Sequence, residues 1–187
     1  VWGTEEEWGS SYSSPIVADT AGGRKLFVFA GGESRPATGG LLVIDPRTGK
    51  INCRFPWRGS RYESVNASSP VVVGSKVYIS ECYGSGGVCL EIQPDGSCKE
   101  LWRNEILNTH FMTAINKDGY LYGVDGHGPR NAPIVCIKMD TGELMWKYEP
   151  EWMTTVKSPT GPQSYNLMPA LASFIEVDGR CLVLGQY

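Results

Sequence analysis

Ser68-Ser69-Pro70-Val71-Val72-Val73-Gly74-Ser75-Lys76-Val77-Tyr78-Ile79-Ser80 reads as an apolar strand, a short glycine turn and a second apolar strand. The chain writes this sentence about four times, with errors. Ser13-Ser14-Pro15-Ile16-Val17 leads to Arg24-Lys25-Leu26-Phe27-Val28-Phe29. Met112-Thr113-Ala114-Ile115 leads to Asp118-Gly119-Tyr120-Leu121-Tyr122, and Ala172-Ser173-Phe174-Ile175 to Asp178-Gly179-Arg180-Cys181-Leu182-Val183. With Leu26, Val77, Leu121 and Cys181 as equivalent points, the period is about 45–60 residues, near that of a four-stranded propeller blade.

A second half, present after each of the first three copies, completes the blade. Leu41-Leu42-Val43-Ile44-Asp45-Pro46-Arg47-Thr48-Gly49-Lys50 runs on to Cys53. Cys89-Leu90-Glu91-Ile92-Gln93-Pro94-Asp95-Gly96 runs on to Trp102, and Ile134-Val135-Cys136-Ile137-Lys138-Met139-Asp140-Thr141-Gly142-Glu143 to Trp146. Each is a third strand, a tight turn and a fourth strand, the glycines supplying the positive φ that such turns need. A lone meander of four strands cannot bury both faces, so blades must stack around an axis. The expected fold is all-β: a β-propeller of about three and a half blades, near residues 8–57, 62–103, 108–148 and an incomplete 165–187.

Ser-Ser-Pro-Val-Val, then Asp-x-x-Thr-Gly-(Lys/Glu), then a Trp four residues after that Gly, resembles the repeat of PQQ-like (quinoprotein-type) β-propellers. The resemblance runs from about Trp8 to Tyr187 and implies an exported bacterial protein, periplasmic or extracellular. Two departures stand out: Cys53 occupies the Trp position of the first blade, and Pro94-Asp95-Gly96 replaces Thr-Gly in the second. Trp102 and Trp146 are expected to pack between blades, and the Ser-Ser-Pro strands to face the axis.

Composition agrees, since 23 Gly and 12 Pro in 187 residues suit many short strands and turns. No run approaches the ~20 apolar residues of a membrane-spanning helix. A net charge of −3 with mixed signs leaves no nucleic-acid footprint. The chain opens at Val1 with no signal peptide and stops at Tyr187 after the second strand of the fourth repeat. Further blades, or another chain, are expected to complete the ring, because an open edge invites aggregation.

The six cysteines form no C-x-x-C pair and no zinc spacing, so no metal site is expected. Cys82 and Cys89 flank Tyr83-Gly84-Ser85-Gly86-Gly87-Val88. A hairpin symmetric about Ser85-Gly86 would set them opposite each other as a cross-strand disulfide. Cys53, Cys89, Cys136 and Cys181 also read as small buried hydrophobes at strand positions. Asn66-Ala67-Ser68 matches a glycosylation sequon.

In a propeller the loops entering each first strand and the loops joining second to third strands gather at one mouth, where function concentrates. The entering loops carry Trp8 to Tyr12, Arg61 to Asn66, Asn108 to Phe111, and Gln163 to Asn166. The candidate rim for a ligand or partner is Glu63, Asn66, Glu81, Asn108, His110, Asp125, His127 and Arg130. Asp125 and His127, two apart on a glycine-rich loop, read either as a cation or general-base pair or as a capped turn. Nucleophile elbow, P-loop and dinucleotide fingerprint are all missing from the sequence.

The family resemblance also implies what a quinone site would need: a Trp beneath the ring, an adjacent Cys-Cys disulfide, and calcium held by Glu, Asn and Asp. No adjacent cysteine pair occurs. The sequence therefore reads as a non-catalytic binding scaffold with no cofactor, whose partner is a protein or a cell-envelope polymer. Two alternatives stay open. One is part of a PQQ-dependent oxidoreductase with calcium; the other is a structural subunit of a larger assembly.

Overall fold

The structure, a computed structural model, describes residues 1–128, 132–169 and 171–185. The first four strands, β1 (Ile16–Thr20), β2 (Gly23–Ala30), β3 (Gly40–Ile44) and β4 (Ile51–Pro56), form one antiparallel meander. A second contains β5 (Val71–Val73), β6 (Lys76–Glu81), β7 (Gly86–Ile92) and β8 (Cys98–Asn104). A third contains β9 (Ile115–Lys117), β10 (Tyr120–Val124), β11 (Ile134–Lys138) and β12 (Leu144–Tyr148). The chain is thus all-β and built of propeller blades, and no helix is long and apolar enough to cross a membrane among the described residues.

The second blade's central strands are apolar on both faces because it is sandwiched between the first and the third. Phe27 and Phe29 of β2 pack with Val77 and Ile79 of β6 between the first and second blades. One residue out of phase, Tyr78 of β6 turns to the other side and packs with Leu121, Val135 and Ile137 of the third. These two cores lie between blades, so the three blades depend on one another.

The repeated Ser-Ser-Pro has a specific job. Ser14 N–H donates to Ser69 Oγ at 2.9 Å, and Ser69 N–H donates to Thr113 Oγ1 at 2.9 Å. Equivalent residues of successive blades thus bond head to tail where the first strands begin. The turns behave as their residues require: Asp118 and Gly119 both take positive φ (51° and 84°), closing β9 to β10 in two residues.

The fourth-strand position is settled by register. A shift falls at Val43/Ile44, Cys89/Leu90 and Cys136/Ile137, which makes Cys53, Trp102 and Trp146 equivalent. Trp102 lies against the third blade, its Nε1–H donating to Met139 O at 2.8 Å. A Cβ on Gly142 would sit 2.6 Å from Trp102 Cε3, so only glycine admits the indole there. Asn104 Nδ2 donates to Gly142 O. Trp2 and Thr4 repeat this contact on the first blade, Nε1–H to Pro46 O at 2.8 Å and Oγ1–H to Gly49 O at 2.5 Å. Trp146, expected to pack between blades as well, has no such cover among the described residues and is 43% exposed.

Two expectations need correction. Cys82 and Cys89 are both free thiols, and Cys53 is instead bonded to Cys98. The β6–β7 hairpin turns tightly over Cys82–Ser85, pairing Glu81 with Gly86 and Cys89 with Tyr78, so the two thiols never face each other. Cys53 therefore bridges blades rather than packing as a small hydrophobe. Second, Gln163–Asn166 are not an entering loop. They lie in β14 (Gly161–Leu167), which pairs along its length with β13 (Trp152–Ser158) around a Pro159-Thr160 turn. The β-branched run Thr154-Thr155-Val156 favours this extra hairpin. It precedes the two-stranded β15 (Ser173–Val177) and β16 (Arg180–Leu184).

Candidate functional site

Loops from three blades meet at one end of the sheets through aromatic rings. Tyr83, on the β6–β7 turn, places its hydroxyl 2.7 Å from His110 Nε2. His110, on the loop entering β9, stacks on His127 of the loop after β10, with ring centroids 4.3 Å apart and planes 27° from parallel. Tyr83 meets His127 edge-on at 5.2 Å, and Phe111 meets Tyr12 of the first blade edge-on at 5.7 Å. Arg35, after β2, lies over the Tyr62 ring of the second blade's entering loop. Tyr12, Tyr62 and Phe111 stay open to solvent.

Not every expected rim residue faces outward. Glu81 is 1% exposed and accepts the Tyr83 and Ser85 backbone N–H groups, so its carboxylate is spent holding the turn. Asp125 stands at the equivalent place one blade on and does similar work. Its Oδ1 accepts Asn108 N–H at 2.9 Å and Asn108 Nδ2 at 2.7 Å, tying the entering loop to the loop after β10. Asp125 is therefore a loop tie, and it makes no hydrogen bond to His127. Asn66 is buried, donating to Ala30 O and Trp57 O, so its sequon is sealed inside the fold. Glu63 is exposed with a positive φ of 60°. His110 and His127 do come together, and Arg130 falls outside the described residues.

Burial sets the electrostatics here. His110 is 9% exposed, and burial, helped by nearby His127, pulls its pKa down to about 4, so the imidazole is neutral at physiological pH. Burial pushes the Tyr83 phenol up to about 12, so it keeps its proton. His110 and Tyr83 are thus both neutral, and the mouth cluster is held by ring packing and the hydrogen bond between them. No three His, Cys, Asp or Glu side chains converge among the described residues. The stacked imidazoles meet face to face, an arrangement for packing rather than for sharing a cation.

Beside the cluster lies a cleft walled by His110, Phe111, Met112, Val124, Leu171 and Ala172. Sequence reading placed Met112 and Ala172 in the strand repeat and missed them as a lining. Apolar residues at strand entries look like core until the neighbouring repeat is seen to leave a gap. The recurring aromatics Tyr12, Tyr83 and Phe111 were the one visible signal.

A family model described as outer membrane protein assembly factor BamB matches residues 3–148. Comparison with curated proteins gives no match. Two similar solved structures are the quinohemoprotein alcohol dehydrogenase ADHIIG from Pseudomonas putida HK5 and BamB from Moraxella catarrhalis. The first is 16% identical with a TM-score of 0.45, covering 87% of this chain and 31% of its own. The second is 16% identical with a TM-score of 0.47, covering 85% of this chain and 49% of its own. The chain thus spans about a third of the one and about half of the other. The family model covers most of the blades described above, and this chain belongs to the family of the outer membrane protein assembly factor BamB.

Proposed function

We propose that this chain is a non-catalytic propeller scaffold of the cell envelope that binds a protein partner through its mouth loops. The observation that carries the reading is the ring cluster, which ties loops of three blades together while leaving Tyr12, Tyr62 and Phe111 exposed. Exposed aromatics on a rigid frame are what interface anchors look like. The Cys53–Cys98 disulfide supports an oxidising compartment, periplasmic or extracellular. A cell-envelope polymer is the other ligand class such a rim could meet.

The test is photo-crosslinking of the protein in its source cells from a probe at Glu63, with Tyr12→Ala and Tyr62→Ala as the disabling pair. We expect one main adduct, lost at least tenfold in the double variant with the melting temperature unchanged. An adduct indifferent to both substitutions would overturn the reading. The quinone alternative needs an adjacent disulfide and a calcium carboxylate set. The described residues fit neither, since the disulfide joins β4 to β8 and no acidic trio converges. An oxidoreductase reading would therefore rest on residues outside this chain.

A further inference from the structure

We propose that the mouth cleft takes one uncharged apolar side chain of a partner polypeptide, together with the backbone amide beside it. This rests on the mouth-binding reading above and names what the partner inserts. Phe111, Met112, Val124, Leu171 and Ala172 supply the apolar part of the wall, His110, Gly126 and Ser173 the polar part, and no charged side chain lines it among the described residues. A charged group entering there would lose water without gaining a counter-charge. The ligand is therefore uncharged.

His110 supplies the polar half of the specificity. Its Nε2 is engaged by Tyr83, and its Nδ1 is buried without a hydrogen-bond partner. Buried polar atoms left unpaired are rare and call for an explanation. If the Tyr83 hydroxyl donates to Nε2, Nδ1 carries the proton and needs an acceptor; if the imidazole donates to Tyr83, Nδ1 needs a donor. A peptide amide offers both an N–H and a C=O, so it satisfies either tautomer where a plain hydrocarbon satisfies neither. The cleft couples the third blade's entering loop to Leu171 and Ala172 beside β15, so an inserted residue also bridges those two elements.

The experiment is a titration of the whole chain with N-acetyl-leucine methylamide, with N-acetyl-glutamate methylamide as the charged control. The readouts are the Met112 methyl carbon and the His110 ring nitrogens by NMR. We expect saturable shifts at Met112 and at His110 Nδ1 with the leucine probe, and at least tenfold weaker binding of the glutamate probe. His110→Phe should weaken the leucine probe at least fivefold. Leu171→Asp, at a position exposed enough to fold normally, should weaken it at least tenfold. Equal response to both probes, or shifts confined to other residues, would overturn the inference. In the crosslinking assay, adduct retained in Leu171→Asp but lost in the Tyr12/Tyr62 double variant would sink the cleft inference and leave the mouth reading standing. Adduct retained in all variants would sink the mouth reading, while the titration would still decide the cleft.

Discussion

The boundary between the first and second blades and the boundary between the second and third solve one problem in two ways. Both bury a continuous apolar layer, Phe27 and Phe29 against Val77 and Ile79 in one, Tyr78 against Leu121 and Ile137 in the other. They differ at the outer strand. Between the second and third blades, Trp102 reaches over a glycine turn and donates to Met139 O. Between the first and second, Cys53 stands at the same repeat position and is bonded to Cys98, 45 residues away. Here a covalent bond replaces a ring in a groove. They differ at the mouth as well, where Tyr83 and His110 join the second and third blades through a neutral imidazole. One boundary is therefore sensitive to redox and the other to protons.

Breaking the covalent link should have the largest effect. Closing a loop of this length stabilises a fold by about 4 kcal/mol through the unfolded chain's lost entropy. Cys53→Ala should lower the denaturation midpoint accordingly, and wild type with reductant should fall to the same value. Reductant should leave the variant unchanged; a further drop would mean that another disulfide exists.

Removing the ring at the other boundary comes next. Trp102→Ala should cost about 3 kcal/mol, because it opens a gap against the third blade and strands Met139 O. Gly142→Ala should mimic much of this by pushing the indole away, and its positive φ adds strain. Urea denaturation of both variants tests whether groove and ring act as one unit, in which case the double variant will be less than additive.

Acid probes the same boundary from the mouth. Because His110 resists protonation in the folded state, with a pKa near 4, an unfolded chain binds a proton that the native chain refuses once pH drops below about 6.5. Stability is thus full above that pH and declines as pH falls towards 4, by about 1–2 kcal/mol at pH 5. His110→Phe should flatten this part of the pH profile, and an unchanged slope would assign it to other groups.

The smallest effect sharpens the contrast. Trp146 occupies the same repeat position as Trp102 but is 43% exposed and touches Tyr122 without a groove to fill. Trp146→Ala should change stability by less than about 1 kcal/mol, as surface substitutions do. A loss as large as that of Trp102→Ala would mean that Trp146 is covered in solution by something other than the described residues.

Sequence alone determined the all-β blades, because strand alternation, Asp-Gly turns and the 45–60-residue period are local signals that each repeat restates. It also set Cys53 at the position that Trp146 holds, four residues past the turn glycine, while register alone made Trp102, six past its own, their equivalent. Only the tertiary structure decided what those positions do. Cys53 finds Cys98 only when two blades stack, and local hairpin symmetry pointed to Cys82 and Cys89 instead. Asn66, Glu81 and Asp125 read as rim ligands because they are polar and in loops, yet each is turned inward to satisfy backbone groups of a neighbouring segment. The Tyr83–His110–His127 stack joins residues from two blades, and no spacing along a chain encodes which loop tips will touch. A repeat specifies the blade because its information lies within about 50 residues; the disulfide and the mouth are properties of how blades meet, and that is written in contacts between repeats.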